Sequence, residues 1–392
     1  MSCKVRIGIV GARFAARFHL EAYHKVYGIP VDVVGMTSKS KESREAFAAT
    51  HGLKAFDSLA ELLNAVDVVD ICAPGYVHET VAVDAFRAGK HVIIEKPFTG
   101  YYGAGQSGFK GNQFSKETML REAMASSKRI LEAADASGKQ LMYAENWVYA
   151  PSIQKEREIL WATKAQVLWI MGEESHSGSH SPSYGIWSEA GGGSIVGKSC
   201  HPMTAVLYLK REEGLATLGR PIRPKTVSAR VHEITRTPGY RDAKFLRTDY
   251  HDVEDYSQLH IVFDDGMVAD IFSTEIVMGG VHNWLEVFAN NHRTRCNINP
   301  VDAMSTYNPR EEQLKDVYIV EKIGTKQGWS HPAPNEDWMT GYPQEMQDFM
   351  ECVDQNREPK CGAALAQDTV AVMYAAYVSA ERRGAEVEVP QE

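Results

Sequence analysis

Glu95-Lys96-Pro97 is the tripeptide of this chain best disposed to do chemistry. It follows the apolar run His91–Ile94, which reads as a buried strand, and ligands of open α/β sheets bind beyond the carboxyl ends of their strands. An ammonium placed there stabilises the alkoxide formed when a carbonyl accepts hydride, and partial burial lowers its pKa towards a working value. Pro97 holds Lys96 in extended backbone geometry. The competing reading is a surface ion pair between Lys96 and Glu95. The matching half of the chemistry lies near the start of the chain. Gly8-Ile9-Val10-Gly11-Ala12-Arg13-Phe14-Ala15-Ala16 leaves a strand-like run and opens a helical pattern, the context that gives a glycine fingerprint meaning. Gly11 permits the tight turn, and the helix start at Ala12–Ala15 offers free N–H groups to a pyrophosphate. Arg13 stands where the middle glycine is usual. Its bulk prevents the closest backbone approach, while its guanidinium can lie over the phosphates. A strand–turn–helix without a ligand is the alternative.

The end of the next strand bears on the cofactor. NAD sites usually carry an acid there for the ribose hydroxyls. This chain has Thr37-Ser38-Lys39-Ser40 instead. A carboxylate ~4 Å from a 2′-phosphate would cost about 4 kcal/mol per unit charge at a surface-like dielectric. Its absence favours NADP over NAD, with Ser38 and Lys39 holding the extra phosphate; the alternative is a solvated Lys39 and NAD bound without the acidic contact.

The elements that must position these groups follow from the pattern. The first ~150 residues alternate short apolar runs with helical patterns, which indicates parallel βαβ units. Strands are expected at Val5–Val10, Val31–Met36, Val68–Ala73, His91–Ile94 and Leu141–Ala144. Ser58 and Glu61 form a capping box, Gly52, Gly89 and Gly138 stand where helices stop, and residues 98–115 read as an inserted loop before a helix capped by Ser115. Beyond Pro151 a helix near Ile153–Trp161 leads to a strand at Gln166–Gly172, a polar stretch Glu173–Gly193 and a helical pattern over Ser194–Leu209. Alternating runs then follow at Thr226–Thr235, Ser257–Phe263, Met267–Glu275, Trp284–Ala289 and His292–Ile298, with Asp265-Gly266 and Asn290-Asn291 as hairpin tips. Helices at Pro343–Asn356 and Ala364–Arg383 close the chain. The expected architecture is α/β: a dinucleotide-binding domain over 1–148 and, over 149–392, a second domain built on a large, mostly antiparallel sheet.

Composition narrows the class. With 42 basic and 51 acidic residues the net charge is -9, and no basic run points to nucleic acid. The six cysteines are scattered without a C-x-x-C pair, which suits a reducing compartment rather than a disulfide framework or a zinc site. No apolar run approaches the ~20 residues of a membrane span. The strand-like run from Val5 leaves no room for a signal peptide, so a cytoplasmic protein is expected.

Taken together, Gly8–Ala16 with His19, Ala73-Pro74 with His78, Glu95-Lys96-Pro97 and Gly191-Gly192-Gly193…His201-Pro202 resemble the Gfo/Idh/MocA oxidoreductases, the group of glucose–fructose oxidoreductase and inositol dehydrogenase. The resemblance spans nearly the whole chain. It implies a Rossmann domain followed by an α/β domain whose open sheet face makes a homodimer or homotetramer. It also implies NAD or NADP as cofactor, contacted by Gly8, Gly11, Ala12, Arg13, Phe14, Ala15, Ala73, Pro74, His78, Glu95 and Lys96, and a sugar, cyclitol or sugar derivative as substrate. In such a family Lys96 and His201 are the catalytic pair.

This chain departs from the family at one position. Four residues before the histidine, where an aspartate is usual, stands Gly197. Lys96 and His201 must then act alone or recruit another group; His201 could also be a packed helix histidine. Glu173-Glu174-Ser175-His176-Ser177-Gly178-Ser179-His180 is the obvious reservoir. His176 and His180 suit a polyol better than a metal, because Gly and Ser argue against the helix that would align two ligands. Tyr184 and Trp187 offer ring faces for a pyranose, and Glu145-Asn146-Trp147 sits where one domain hands over to the next. His251-Asp252-Val253-Glu254-Asp255 reads as an exposed charged turn. The expected activity is an NAD(P)-dependent oxidoreductase acting on a secondary hydroxyl or ketone. Two rivals stay open: a redox-neutral lyase, hydrolase or epimerase with retained cofactor, and a non-catalytic sugar or nucleotide sensor.

Overall fold

The computed structural model describes residues 4–179, 181–319 and 323–391. Six parallel strands form the first sheet: β1 Val5–Val10, β2 Val31–Thr37, β3 Lys54–Ala55, β4 Val68–Ile71, β5 His91–Glu95 and β6 Leu141–Ala144, in the order β3-β2-β1-β4-β5-β6. The order reverses between β1 and β4, which opens a crevice at their carboxyl ends. Nearly continuous burial of Ile7, Ile9, Val68, Val69, Ile71 and Val92–Ile94 explains why these strands read as apolar runs: helices cover both faces. The helices are α1 Phe14–Tyr23, α2 Lys41–His51, α3 Leu59–Ala65, α4 His78–Arg87 and α5 Lys116–Ser137. Ser40, Ser58 and Ser115 cap α2, α3 and α5 through their hydroxyls, as serine at these positions should. The two-residue β3 is too short to give a sequence pattern.

After α6 (Pro151–Thr163) the second sheet begins. Its strands are β7 Val167–Ser175, β8 Pro224–His232, β9 Tyr256–Phe263, β10 Val268–Thr274, β11 His282–Ala289 and β12 Arg293–Asn297; a short β13, Val387–Glu388, adds to β8. Most neighbours are antiparallel, but β7 and β10 run parallel. Strand β7 extends three residues past the expected end, so Glu173, Glu174 and Ser175 belong to it rather than to a loop. One face of the sheet is covered by α7, Cys200–Leu218; the other carries half-exposed Trp169, stacked on Phe288 at 4.7 Å. The closing helices are α8 Tyr342–Gln355 and α9 Ala363–Glu381. Helix α9 is buried on nearly every side, between α5 of the first domain and β8 of the second.

One expectation fails outright. Asp252, Glu254 and Asp255 are buried, not exposed. Each accepts backbone N–H groups of distant segments: Asp252 from Gly111 and Trp187, Glu254 from Gly193 and Ile195, Asp255 from Ile234 and Thr235. Charge patterning alone does not reveal such internal capping.

Candidate active site

A cleft of about 1110 Å³ runs along the carboxyl end of the first sheet and into the second domain. At its near end, Gly11 has φ +128, and a Cβ there would lie 2.5 Å from the Cys72 carbonyl oxygen. Only glycine fits this turn. Helix α1 starts at Phe14 with no side-chain cap, whereas the serine-capped helices satisfy theirs. Its uncapped N–H groups, with Ala12, Arg13, Phe14 and Ala15 on the cleft wall, form a cradle that fits a dinucleotide pyrophosphate. Arg13 is exposed and reaches across the cleft to Ser183 Oγ at 3.3 Å. Gly8 lies behind the cradle, packed on Leu62 and Val66, and supports the turn without lining the cleft.

Further along lie Ser38 and Lys39, joined by Arg44, which the sequence did not single out. Arg44 donates to the Ser38 carbonyl at 3.1 Å and to Asp57 Oδ1 at 2.6 Å, which holds the loop after β2 in place. Ala73 and Pro74 line the opposite wall. His78 does not reach the cleft. It is fully buried, with ring nitrogens 2.8 Å from the Ala73 carbonyl and 3.0 Å from that of Pro97. Burial lowers its pKa; a neutral ring carries one N–H and donates to one of these carbonyls, and the ring's place behind the strand ends keeps it from touching a cofactor.

Lys96 stands at the junction of the two domains and donates to the Gly197 carbonyl at 3.1 Å. Burial works against its charge, but the Tyr184 hydroxyl, the Cys200 thiol and the carboxylates of Glu174 and Glu95 outweigh it, raising its pKa well above the ordinary value. This corrects the sequence reading: Lys96 is a fully charged ammonium at neutral pH, a donor rather than a base. Glu95 lines the cleft beside it and is held from behind by buried His19, whose Nε2 is 3.4 Å from Glu95 Oε1 and whose Nδ1 is 2.9 Å from Asp70.

His201 reaches the same cleft from α7. Its Nδ1–H donates to Glu145 Oε1 at 2.5 Å, and Glu145 is fully buried. The ring stacks on Trp147, with centroids 5.9 Å apart. Both contacts fix the imidazole and present Nε2 to the cleft, where Glu174 Oε2 lies 3.8 Å away. Glu145 is therefore a partner of His201 and not a wall of the cleft. The ligand atoms of Glu145, Cys200 and His201 all fall within 4.8 Å of one another. However, two ligands on one tetrahedral zinc keep about 3.3 Å between them, so the 2.5 Å contact is a hydrogen bond and not half of a metal site. Asn146 lines the cleft with its amide committed to the Thr340 carbonyl at 2.8 Å.

His176 lines the cleft, accepts from the Gly178 N–H at 3.1 Å and meets buried Lys198, which is 3.4 Å from Glu275. With Nδ1 taken by the Gly178 N–H and Nε2 against Lys198, neither ring nitrogen is open to a metal ion. His180 lies outside the described residues. Tyr184 lines the cleft, but Trp187 does not: it is buried against Gly111 and Tyr377 and donates to the Tyr101 carbonyl at 3.2 Å. It locks the 98–115 insertion in place and is no platform for a sugar. Lys198 and Tyr342 also line the cleft and were missed. A lysine inside the apolar run before His201 was a usable signal; Tyr342, brought in from the far end of the chain, gave none.

A family model described as "Oxidoreductase family, NAD-binding Rossmann fold" matches residues 5–108. Glucose-6-phosphate 3-dehydrogenase of Bacillus subtilis is 33% identical over 92 residues, 24% of this chain and 26% of that protein. UDP-N-acetylglucosamine 3-dehydrogenase of Acidithiobacillus ferrooxidans is 36% identical over 95 residues, 24% of this chain and 29% of that protein. The matches thus span less than a third of either relative. Among solved structures, GenD2 from gentamicin A biosynthesis, in complex with NAD, superposes with a TM-score of 0.78 at 22% identity, over 99% of this chain and 97% of that one. Residues 5–108 thus match the NAD-binding Rossmann domain of that oxidoreductase family, and the whole chain shares the two-domain fold of GenD2.

Proposed function

We propose that the chain is an NAD(P)-dependent oxidoreductase acting on a secondary hydroxyl or ketone of a sugar, cyclitol or sugar derivative, with the domain division at 148/149. One observation carries the reading: an ammonium from the first domain and an oriented imidazole from the second line one cleft, continuous with an uncapped helix start. A bound nicotinamide supplies the hydride acceptor or donor. In the oxidising direction, His201 Nε2 takes the hydroxyl proton, Glu145 stabilises the resulting imidazolium, and Lys96 stabilises the developing charge on oxygen. Lys96 uses one proton on the Gly197 carbonyl and has others for the substrate. Polar side chains at Asn283, Asn299 and Glu336 on the far wall suit several hydroxyls. NADP is the favoured dinucleotide, because Ser38, Lys39 and Arg44 surround the end of β2 without an acid at the strand terminus.

The test is nicotinamide absorbance with a panel of sugars and cyclitols and either dinucleotide. Lys96→Met should lower turnover by roughly a thousandfold or more while leaving dinucleotide affinity within a few-fold. Retained turnover would refute the assignment of Lys96. The Arg13–Ser183 contact across the cleft favours one variant of the reading, in which the dinucleotide stays bound and the net reaction is redox-neutral. Substrate consumption without a net absorbance change, with nucleotide released on denaturation, would identify it. Assembly as a homodimer or homotetramer through the open face around Trp169 and Phe288 is part of the same proposal, and light scattering reads it.

A further inference from the structure

Gly197 leaves space one helical turn before His201, and another residue fills it. A Cβ at Gly197 would meet Tyr184 Cδ1 at 3.3 Å and Cε1 at 3.5 Å. The Tyr184 ring comes from a single turn at Pro182–Gly185 and lines the cleft. Lys96 Nζ lies 5.7 Å from its centroid while donating to the Gly197 carbonyl. Lysine, tyrosine and the glycine carbonyl thus form one packed unit on the cleft wall. The turn is pinned from outside. Arg247 donates to the carbonyls of Ser179 and Ser181 at 2.6 Å each, and the His251 N–H donates to the Gly185 carbonyl at 2.8 Å. Such anchoring is what a group needs to be held ready for reaction rather than merely to cover a pocket.

We propose that Tyr184 is a third catalytic residue, its phenol hydroxyl passing a proton between the reacting oxygen and the Lys96 ammonium. The proposal rests on the oxidoreductase reading above. In the reducing direction the carbonyl carbon gains a hydride from the reduced nicotinamide and the π pair moves onto oxygen. That oxygen forms an O–H bond with the Tyr184 proton. The tyrosinate recovers a proton from Lys96, and the lysine amine is refilled from water. Oxidation runs the same transfers backwards as a second route beside His201, with Lys96 first giving a proton to water. The groups facing Tyr184 are Lys96, Glu95, Cys200 and Tyr102. The Lys96 charge pulls the phenol pKa down, but burial with Glu95 and Cys200 outweighs it and keeps the hydroxyl protonated at neutral pH. An ordinary phenol retains its proton to about pH 10, so Tyr184 still holds one to give at mildly alkaline pH.

Two measurements test this. In the protein without dinucleotide, near-ultraviolet titration of wild type minus Tyr184→Phe isolates one tyrosine; its ionisation should lie above the ordinary value of about 10 and move higher still in Lys96→Met. An unmoved titration overturns the coupling. With dinucleotide and a ketone substrate, wild type should stay level to about pH 9, while Tyr184→Phe should begin to fall at a lower pH and lose up to tenfold for each unit beyond it. A rate lowered equally at every pH, or unchanged, overturns the proposal and leaves the oxidoreductase reading intact. A wild type that turns over no substrate with either dinucleotide overturns both.

Discussion

Replacing Glu145 by Gln removes a negative charge from behind His201 and leaves the side chain's shape almost unchanged. The carboxylate is fully buried, 2.5 Å from His201 Nδ1, with its second oxygen unpartnered. With charge centres about 4 Å apart and an effective dielectric near 20, the imidazolium formed during proton transfer loses roughly 4 kcal/mol of stabilisation. That is about three decades in rate if the whole term is lost. Glutamine can still accept from Nδ1, and Glu174 at 3.8 Å from Nε2 also favours the cation, so part survives. The expected fall in kcat is therefore 10²- to 10³-fold, with dinucleotide affinity unchanged. Stability should move the other way: a buried carboxylate with an orphan oxygen is costly, and the neutral amide costs less, so Tm should hold or rise. The assay is kcat against pH in both directions, beside a thermal melt. A kcat within twofold of wild type would refute the dyad. A rate lost together with several degrees of Tm would assign Glu145 to packing instead.

Two further outcomes follow from other parts of the site. Lys39→Asp should weaken NADP relative to NAD by roughly ten- to thirtyfold, about 1–2 kcal/mol after screening of an exposed charge; an unaltered ratio, measured by titration of each dinucleotide, would remove Lys39 from the 2′-phosphate site. Burial raises the pKa of Glu254 from 4.5 to about 7. An acid with a raised folded pKa keeps its protonated form in the native state, so stability is greatest below the unfolded value and declines as pH rises towards the folded one. Wild type should lose about 3 kcal/mol more than Glu254→Gln between pH 4.5 and 7 in urea titrations, and parallel pH curves would contradict this.

The first domain was legible because its strands are buried on both faces and its helices carry local punctuation. Val5–Val10 and Leu141–Ala144 coincide with expectation, and Ser58, Ser115, Gly52 and Gly138 cap or end helices as such residues do. The second sheet was legible by alternation, and its hairpin tip at Asp265-Gly266 is where the pattern put it. What escaped was long-range. The parallel pairing of β7 with β10 has no local signature, and the burial of Asp252–Asp255 depends on which distant N–H groups need acceptors. The charge on Lys96 was misjudged because its carboxylate neighbours arrive from separate elements: Glu95 is adjacent, but Glu174 lies on β7. The same holds for His201, whose partner Glu145 was legible as a residue near the cleft but not as the group behind the ring.

Helix α9 gives the molecule two seams on one element, against α5 on one side and β8 on the other. Tyr374 takes the Tyr101 N–H and donates to the Gly191 carbonyl, while Tyr377 donates to Glu254, so the same helix also braces the insertion and the glycine-rich approach to His201. Recombination that traded either half for a foreign one would strand one of these seams against a surface never shaped for it. Changes in what this scaffold accepts must then accumulate residue by residue on the cleft wall and its loops.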